Sequence, residues 1–230
     1  MNFFQITIYV IVFILLVVIA ILTGKFIKHK SLYPLLSFKY DFRKRRITFS
    51  KALELLTKTN SKIIIETGTS RHGLNGARSQ GAATIVFGKW AQKNNAILHS
   101  VDISEESVKV AQNEVNTLQL NKTVTIHLSD SIEFLKKFDH PVDFLYLDSY
   151  DYSEDPEIQL KSQLHHLNEF KAIEKNLHKN SIVLIDDCDL PGGGKGKLAI
   201  EYMLMNFWVI LIKNYQVLLL HKDSFLLNKN

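Results

Sequence analysis

Cysteine is almost missing from this chain of 230 residues. Cys188 is the only one, so no disulfide can form within the chain, a usage that fits a reducing compartment. Charge is absent from the first 24 residues, Met1 to Gly24. Acid is then scarce: between Lys25 and Lys51 nine basic residues stand against the single Asp41. There is no internal repeat. The overall balance, 46% hydrophobic and 22% charged residues, excludes a disordered chain. The length suffices for one α/β domain with a sizeable core and an appendage.

From Ile6 to Leu22 nearly every residue is Ile, Val, Leu, Phe or Ala, and about 20 such residues cross the hydrocarbon of a bilayer. A cleaved signal peptide is the competing reading. It calls for a basic leading region, a shorter apolar stretch and a small-x-small cleavage site, and this chain offers none of them. The expectation is an uncleaved single transmembrane anchor over residues 1–24 and a basic juxtamembrane linker over 25–47. The basic excess places the following domain on the cytoplasmic side. Anionic lipid is a fitting partner for that segment, each basic residue near the surface contributing about 1 kcal/mol. Nucleic acid is not expected, because lipid is the nearer polyanion.

Beyond the linker, five short apolar runs each lead into acid: Ile63–Ile65 into Glu66, Ile97–Val101 into Asp102, Val124–Leu128 into Asp130, Phe144–Leu147 into Asp148, and Ile182–Ile185 into Asp186 and Asp187. Continuous apolar runs of this length read as buried parallel strands. Helical stretches alternate with them, over about 48–59, 82–92, 105–118, 131–138, 156–177 and 198–207. Two further strands, near 208–212 and 216–221, are separated by only Lys213-Asn214-Tyr215, a spacing that suits an antiparallel hairpin. The reading is an α/β domain over 48–224 with a tail over 225–230. In such sheets ligands bind beyond the carboxyl ends of the strands, so the five acidic ends outline one site.

Two nucleotide motifs are excluded. Gly68 has no second Gly two positions on, as the dinucleotide fingerprint requires, which disfavours a nicotinamide-dependent oxidoreductase. In Gly192-Gly193-Gly194-Lys195-Gly196-Lys197, Pro191 stands where a P-loop has its first Gly and Leu198 where it has a hydroxyl residue.

Strand order, acid placement and the closing hairpin, over roughly Ser50 to His221, resemble the class I S-adenosylmethionine-dependent methyltransferases. The resemblance implies a Rossmann-like seven-stranded methyltransferase sheet with a C-terminal antiparallel hairpin, preceded here by the transmembrane helix. It also implies S-adenosylmethionine as cofactor: Glu66, Gly68 and Ser70 at its methionine part, Asp102 at the ribose hydroxyls, Asp130 and Ser131 at the adenine. A carboxylate suits a ribose because it accepts two hydroxyl hydrogen bonds in a fork. Asp102 and Asp130 also precede helices, where Asp serves as a cap. The loop from Gly68 to Gly81 is longer and more charged than usual. Its Arg71, His72 and Arg78 either reach over the ligands or are solvated.

Asp148, Asp186 and Asp187 crowd two adjacent strand ends, and such carboxylates repel unless positive charge lies between them. Mg²⁺ or another divalent cation answers that need. The pattern resembles the metal-dependent O-methyltransferases, and Asp148-Ser149-Tyr150-Asp151-Tyr152 is closest to the macrocin type. The resemblance gives Asp151 the role of catalytic base, with His72, His165 and His166 as alternatives. The expected reaction is O-methylation of a hydroxylated small molecule or sugar. A metal-independent N-methyltransferase and a non-catalytic membrane-tethered binding module stay open. The stretch Gly192–Lys197 either closes over an anionic substrate or is a mobile linker.

Overall fold

The computed structural model describes residues 3–227; Met1 and Asn2 of the expected anchor and the last three residues of the expected tail lie outside it. Helix α1 spans Phe3–His29. It runs five residues past the expected end at Gly24, because Lys25-Phe26-Ile27-Lys28-His29 contains no helix breaker. At about 1.5 Å per residue it is about 40 Å long. Its best 18-residue window has a mean hydropathy of 3.2, and none of that window is buried. This helix is long and apolar enough to cross a membrane.

Seven strands form one sheet in the order β3-β2-β1-β4-β5-β7-β6. They are β1 (Ile63–Thr67), β2 (Ile97–Asp102), β3 (Val124–Leu128), β4 (Val142–Leu147), β5 (Leu177–Ile185), β6 (Trp208–Lys213) and β7 (Val217–His221). The first five are parallel. β7 inserts antiparallel between β5 and β6, closing the expected hairpin. The Rossmann-like methyltransferase sheet is therefore present, and its order reverses between β1 and β4. That reversal is where open α/β sheets form a ligand crevice.

The helices are α2 (Arg46–Thr59), α3 (Ala83–Asn94), α4 (Glu105–Thr117), α5 (Ser131–Lys137), α6 (Pro156–Ile173) and α7 (Lys197–Met205). Local chemistry explains their limits. Ser104 caps α4 by accepting the Ser107 N–H, and Asp155 caps α6 ahead of Pro156. Asn60 ends α2 in the left-handed conformation. α6 stops short of the expected residue 177 because β5 begins there. The Ser181 hydroxyl accepts the His178 N–H and donates to the Val142 carbonyl, holding that early start against β4.

Side chains on the two sheet faces build two cores. On one face Phe49 of α2 meets Phe42, Phe87 and Tyr146 edge-on, with centroids 5.4–6.1 Å apart. Burying such a side chain contributes about 1.5–3 kcal/mol. The segment before α2 joins this core: Leu32, Leu36 and Phe42 are buried. Residues 30–45 are thus no free linker. Leu32, Leu36 and Phe42 pack into the core beside α2, and the basic residues of the segment stay out of it, with one exception described below.

Candidate functional site

Because β1 to β5 are parallel, their carboxyl ends lie on one edge, and the five acidic ends assemble there. Two adjoining cavities occupy it. The first, about 150 Å³, is strongly charged and contains Glu66, Gly68, Ser70, Asp148, Asp151 and Asp187 among its walls. The second, about 280 Å³, is lined by Val101, Asp102, Ile103, Asp130, Ser131, Ser149, Tyr150 and His165. Their linings are neighbours: the Thr69 N–H of the first donates to Asp102 Oδ2 of the second at 3.0 Å, and Asp148 of the first is followed by Ser149 of the second.

The crevice is narrow for a backbone reason. Gly68 has φ +83°, and a Cβ there would lie 2.3 Å from the Asp148 carbonyl oxygen. Only glycine lets the β1 and β4 loops cross so closely.

Glu66 is buried. It accepts hydrogen bonds from Ser100 Oγ at 2.6 Å and Thr84 Oγ1 at 2.7 Å. Burial pushes its carboxyl up to about 8. The Ser70 Oγ accepts the Thr84 N–H at 3.2 Å. Both side chains are therefore spent on tying the glycine loop to α3. Asp102 is no helix cap: its Oδ1 accepts the Ser104 N–H at 2.8 Å, and each oxygen keeps a lone pair for a further donor. Asp130 does cap α5, accepting the Glu133 N–H at 2.9 Å, and lines the second cavity as well. Ser131 Oγ lies 3.1 Å from His165 Nε2.

Asp148, Asp186 and Asp187 come together, with one oxygen of each within 4.8 Å of the others. The expectation of trapped positive charge is met by the chain itself. Arg45 is the exception among the basic residues before α2: it is 7% exposed. Its Nε and Nη2 reach Asp186 Oδ2 at 2.8 and 2.7 Å, and its Nη2 reaches Asp187 Oδ1 at 3.3 Å. Lys195, 1% exposed, places Nζ 2.5 Å from Asp148 Oδ1 and 3.1 Å from Asp187 Oδ2. The Tyr146 hydroxyl lies 3.0 Å from Asp186 Oδ2 and 3.2 Å from Asp148 Oδ2.

Burial alone would raise the Asp186 carboxyl, but the Arg45 and Lys195 charges outweigh it and hold it below the usual range. Burial, then repulsion from Asp186, pushes Asp148 well up. Burial opposes the Lys195 charge, and Asp148 and Asp187 more than restore it. Asp187 turns the chain with φ +51°, which Asp tolerates better than most residues. Asp186 is consequently fully buried, while Asp187 lines the cavity.

The loop after β5 is pinned rather than mobile. Gln159 Nε2 donates to the Pro191 carbonyl at 2.7 Å and Gln163 Nε2 to the Gly194 carbonyl at 2.9 Å. Asp151, exposed on the β4 loop, is forked by Arg71 at 3.1 and 2.5 Å. Of the alternative bases, His166 is buried and pushed down to about 4 by burial, and His165 faces the second cavity. Burial raises the Cys188 thiol, so it is no reactive thiolate.

Arg45 and Tyr146 went unseen in the sequence. Nothing in Arg43-Lys44-Arg45-Arg46 marks which member turns inward. Lys195 carried a signal, a lysine within a glycine-rich loop after an acidic strand end.

The methyltransferase-domain family matches residues 78–188, which holds β2 to β5 and the four acidic strand ends beyond β1. Over those residues the chain matches a methyltransferase domain, and its sheet has the class I methyltransferase fold. Solved structures share its fold. An O-methyltransferase from Bacillus cereus in complex with SAH is 12% identical, with 88% of this chain and 97% of that one covered at a TM-score of 0.57. An SAH-bound methyltransferase from Podospora anserina is 13% identical, with 88% of each chain covered at 0.56. A methyltransferase from Geobacter sulfurreducens is 14% identical, with 79% and 80% covered at 0.52. No curated protein matches the chain.

The buried Glu66 makes this methyltransferase domain pH-sensitive. Its carboxyl titrates near 4.5 when unfolded and near 8 when folded, so the folded state holds the proton more tightly. Its contribution to stability is full below about pH 4.5 and is lost as pH rises towards about 8. Urea unfolding across that range should show the loss in wild type and a flatter profile in Glu66→Gln. Equal slopes in the two proteins would contradict it.

Proposed function

We propose that the domain transfers a methyl group from S-adenosylmethionine to a hydroxyl oxygen of a small molecule held in the first cavity. The observation that carries this reading is the pair of neighbouring cavities at the β1/β4 reversal, one bordered by Asp102 and Asp130 and the other lined by charge. The cofactor, when bound, supplies an electrophilic methyl on a sulfonium. Asp102 would accept from the ribose hydroxyls, and Asp130 and Ser131, which line the same cavity, would border the adenine. Glu66 and Ser70 shape the loop, which leaves the methionine part to the backbone around Gly68.

An oxygen acceptor fits better than an amine. An amine would compete for carboxylates that already have partners, Asp148, Asp186 and Asp187 with Arg45 and Lys195, and Asp151 with Arg71. With the cofactor bound, the acceptor's hydroxyl oxygen would take the methyl group from the sulfonium, leaving a neutral thioether, and Asp151 would take the hydroxyl proton. Arg71 holds Asp151 in place. Most of the acceleration comes from alignment of the two reactants.

A divalent ion at Asp148, Asp186 and Asp187 is supported by the 4.8 Å spacing. It is opposed by the partners those oxygens already have. The residues as arranged do not fit an ion while Lys195 lies among them, and no step is routed through one.

We further propose that α1 anchors the domain in a membrane with the domain on the cytoplasmic side, its basic flank resting on anionic lipid. Three contacts support a membrane-associated acceptor. Lys28 and His29 at the end of α1 lie 3.9 and 3.5 Å from Asp41, and Asp41 lies 4.0 Å from Arg78. Next to Arg78, Ser79 and Gln80 line the first cavity.

Isothermal titration with S-adenosylmethionine tests the cofactor site. Wild type should bind, and Asp102→Ala should bind about 10- to 150-fold more weakly, the equivalent of about 1.5–3 kcal/mol for charge-assisted hydrogen bonds. Unchanged affinity would remove Asp102 from the site. Asp151→Asn should lower kcat by about 10²–10⁴-fold with cofactor affinity intact, and full turnover would exclude Asp151 as the base.

A further inference from the structure

We propose that Lys195 is the resident cation of the acidic strand ends, standing where a divalent metal ion would sit, so that this methyltransferase domain works without metal. The inference rests on the methyl-transfer reading for its catalytic meaning, but its structural half stands alone.

The charge count comes first. With all three carboxylates ionised, as an ion among them would require, Asp148, Asp186 and Asp187 bring −3 and Arg45 and Lys195 bring +2, leaving −1. Adding a divalent ion would turn that into +1 in a buried place, with the ion beside an ammonium. Without Lys195 the count is −2, which a divalent ion balances. Lysine and metal therefore exclude one another, because two cations so close together in a buried place repel and compete for the same carboxylate oxygens.

The loop is built to hold the lysine there. Gly194 has φ +60°, and a Cβ at that position would lie 1.8 Å from the Asp187 carbonyl oxygen, so only glycine brings the chain this close. The Lys195 N–H then donates to that same carbonyl at 3.1 Å. Gln163 fixes the Gly192 and Gly194 carbonyls from α6 at 3.2 and 2.9 Å. An ammonium has three N–H donors. Asp148 and Asp187 take two, leaving one for an oxygen atom in the cavity that Lys195 lines. That donor gives the acceptor's oxygen a fixed positive neighbour.

Mn²⁺ binding to the full chain, followed by calorimetry and by its paramagnetic resonance signal, tests the exclusion without any turnover. Wild type should show no site-specific Mn²⁺ binding, and Lys195→Met should gain a site at least about tenfold tighter, since a net −2 cluster attracts a divalent ion. Lys195→Arg, which keeps the charge, should stay without one. Cofactor affinity should be the same in all three. Stoichiometric Mn²⁺ binding by wild type would overturn the proposal, and that measurement needs no variant to fold. A folded Lys195→Met that gains no site would overturn it too. Failure to bind S-adenosylmethionine would strike the methyl-transfer reading instead.

Discussion

The site depends on two buried cations set among three carboxylates. Taking ionised groups out of water costs several kcal/mol for each, and a cluster of Asp148, Asp186 and Asp187 alone could not stay ionised at neighbouring strand ends. Arg45 reaches Asp186 from the segment before α2, and Lys195 reaches Asp148 and Asp187 from the loop after β5. The two come from opposite ends of the chain, so the site is complete only when the N-terminal segment has docked. Breaking such a pair from one side typically costs about 3–5 kcal/mol, because the remaining charge is left buried and unpaired.

This dependence ties the apolar helix to the chemistry. Leu32, Leu36 and Phe42 bury the chain that leads from α1 to Arg45, and Asp41 gathers Lys28, His29 and Arg78 around it. A basic stretch behind an apolar helix is held by three apolar side chains so that its Arg45 lines the first cavity. The glycine crossing at Gly68 completes the opposite wall. Fold, attachment and site therefore share the same few contacts.

Much of the sheet was legible in the sequence because buried parallel strands leave a plain signal. The runs around Ile64, Leu98, Phe144 and Leu184 lie in the observed strands, and the three residues between β6 and β7 sufficed to foresee the hairpin. The acidic ends were legible for the same reason: in parallel strands a position in the run fixes the edge it reaches. What charge patterning cannot show is which cation folds back. Arg45 and its neighbours read alike, and only the packing of Phe42 and Phe49 decides that Arg45 faces inward. The pinned loop at Gly194 was likewise invisible, since glycine-rich sequence reads as freedom until Gln159 and Gln163 are seen to hold it. Glu66 lines the first cavity while Ser100 and Thr84 hold its carboxyl, partners set by strand register and not readable from local sequence.

The most direct measurement is a crystal structure of the full chain grown with S-adenosylhomocysteine and Mn²⁺, with anomalous scattering recorded for manganese. The account predicts Lys195 Nζ between Asp148 and Asp187, the nucleoside beside Asp102, and no anomalous peak at the three carboxylates. A manganese peak bound by Asp148, Asp186 and Asp187, with the Lys195 side chain turned away, would contradict it.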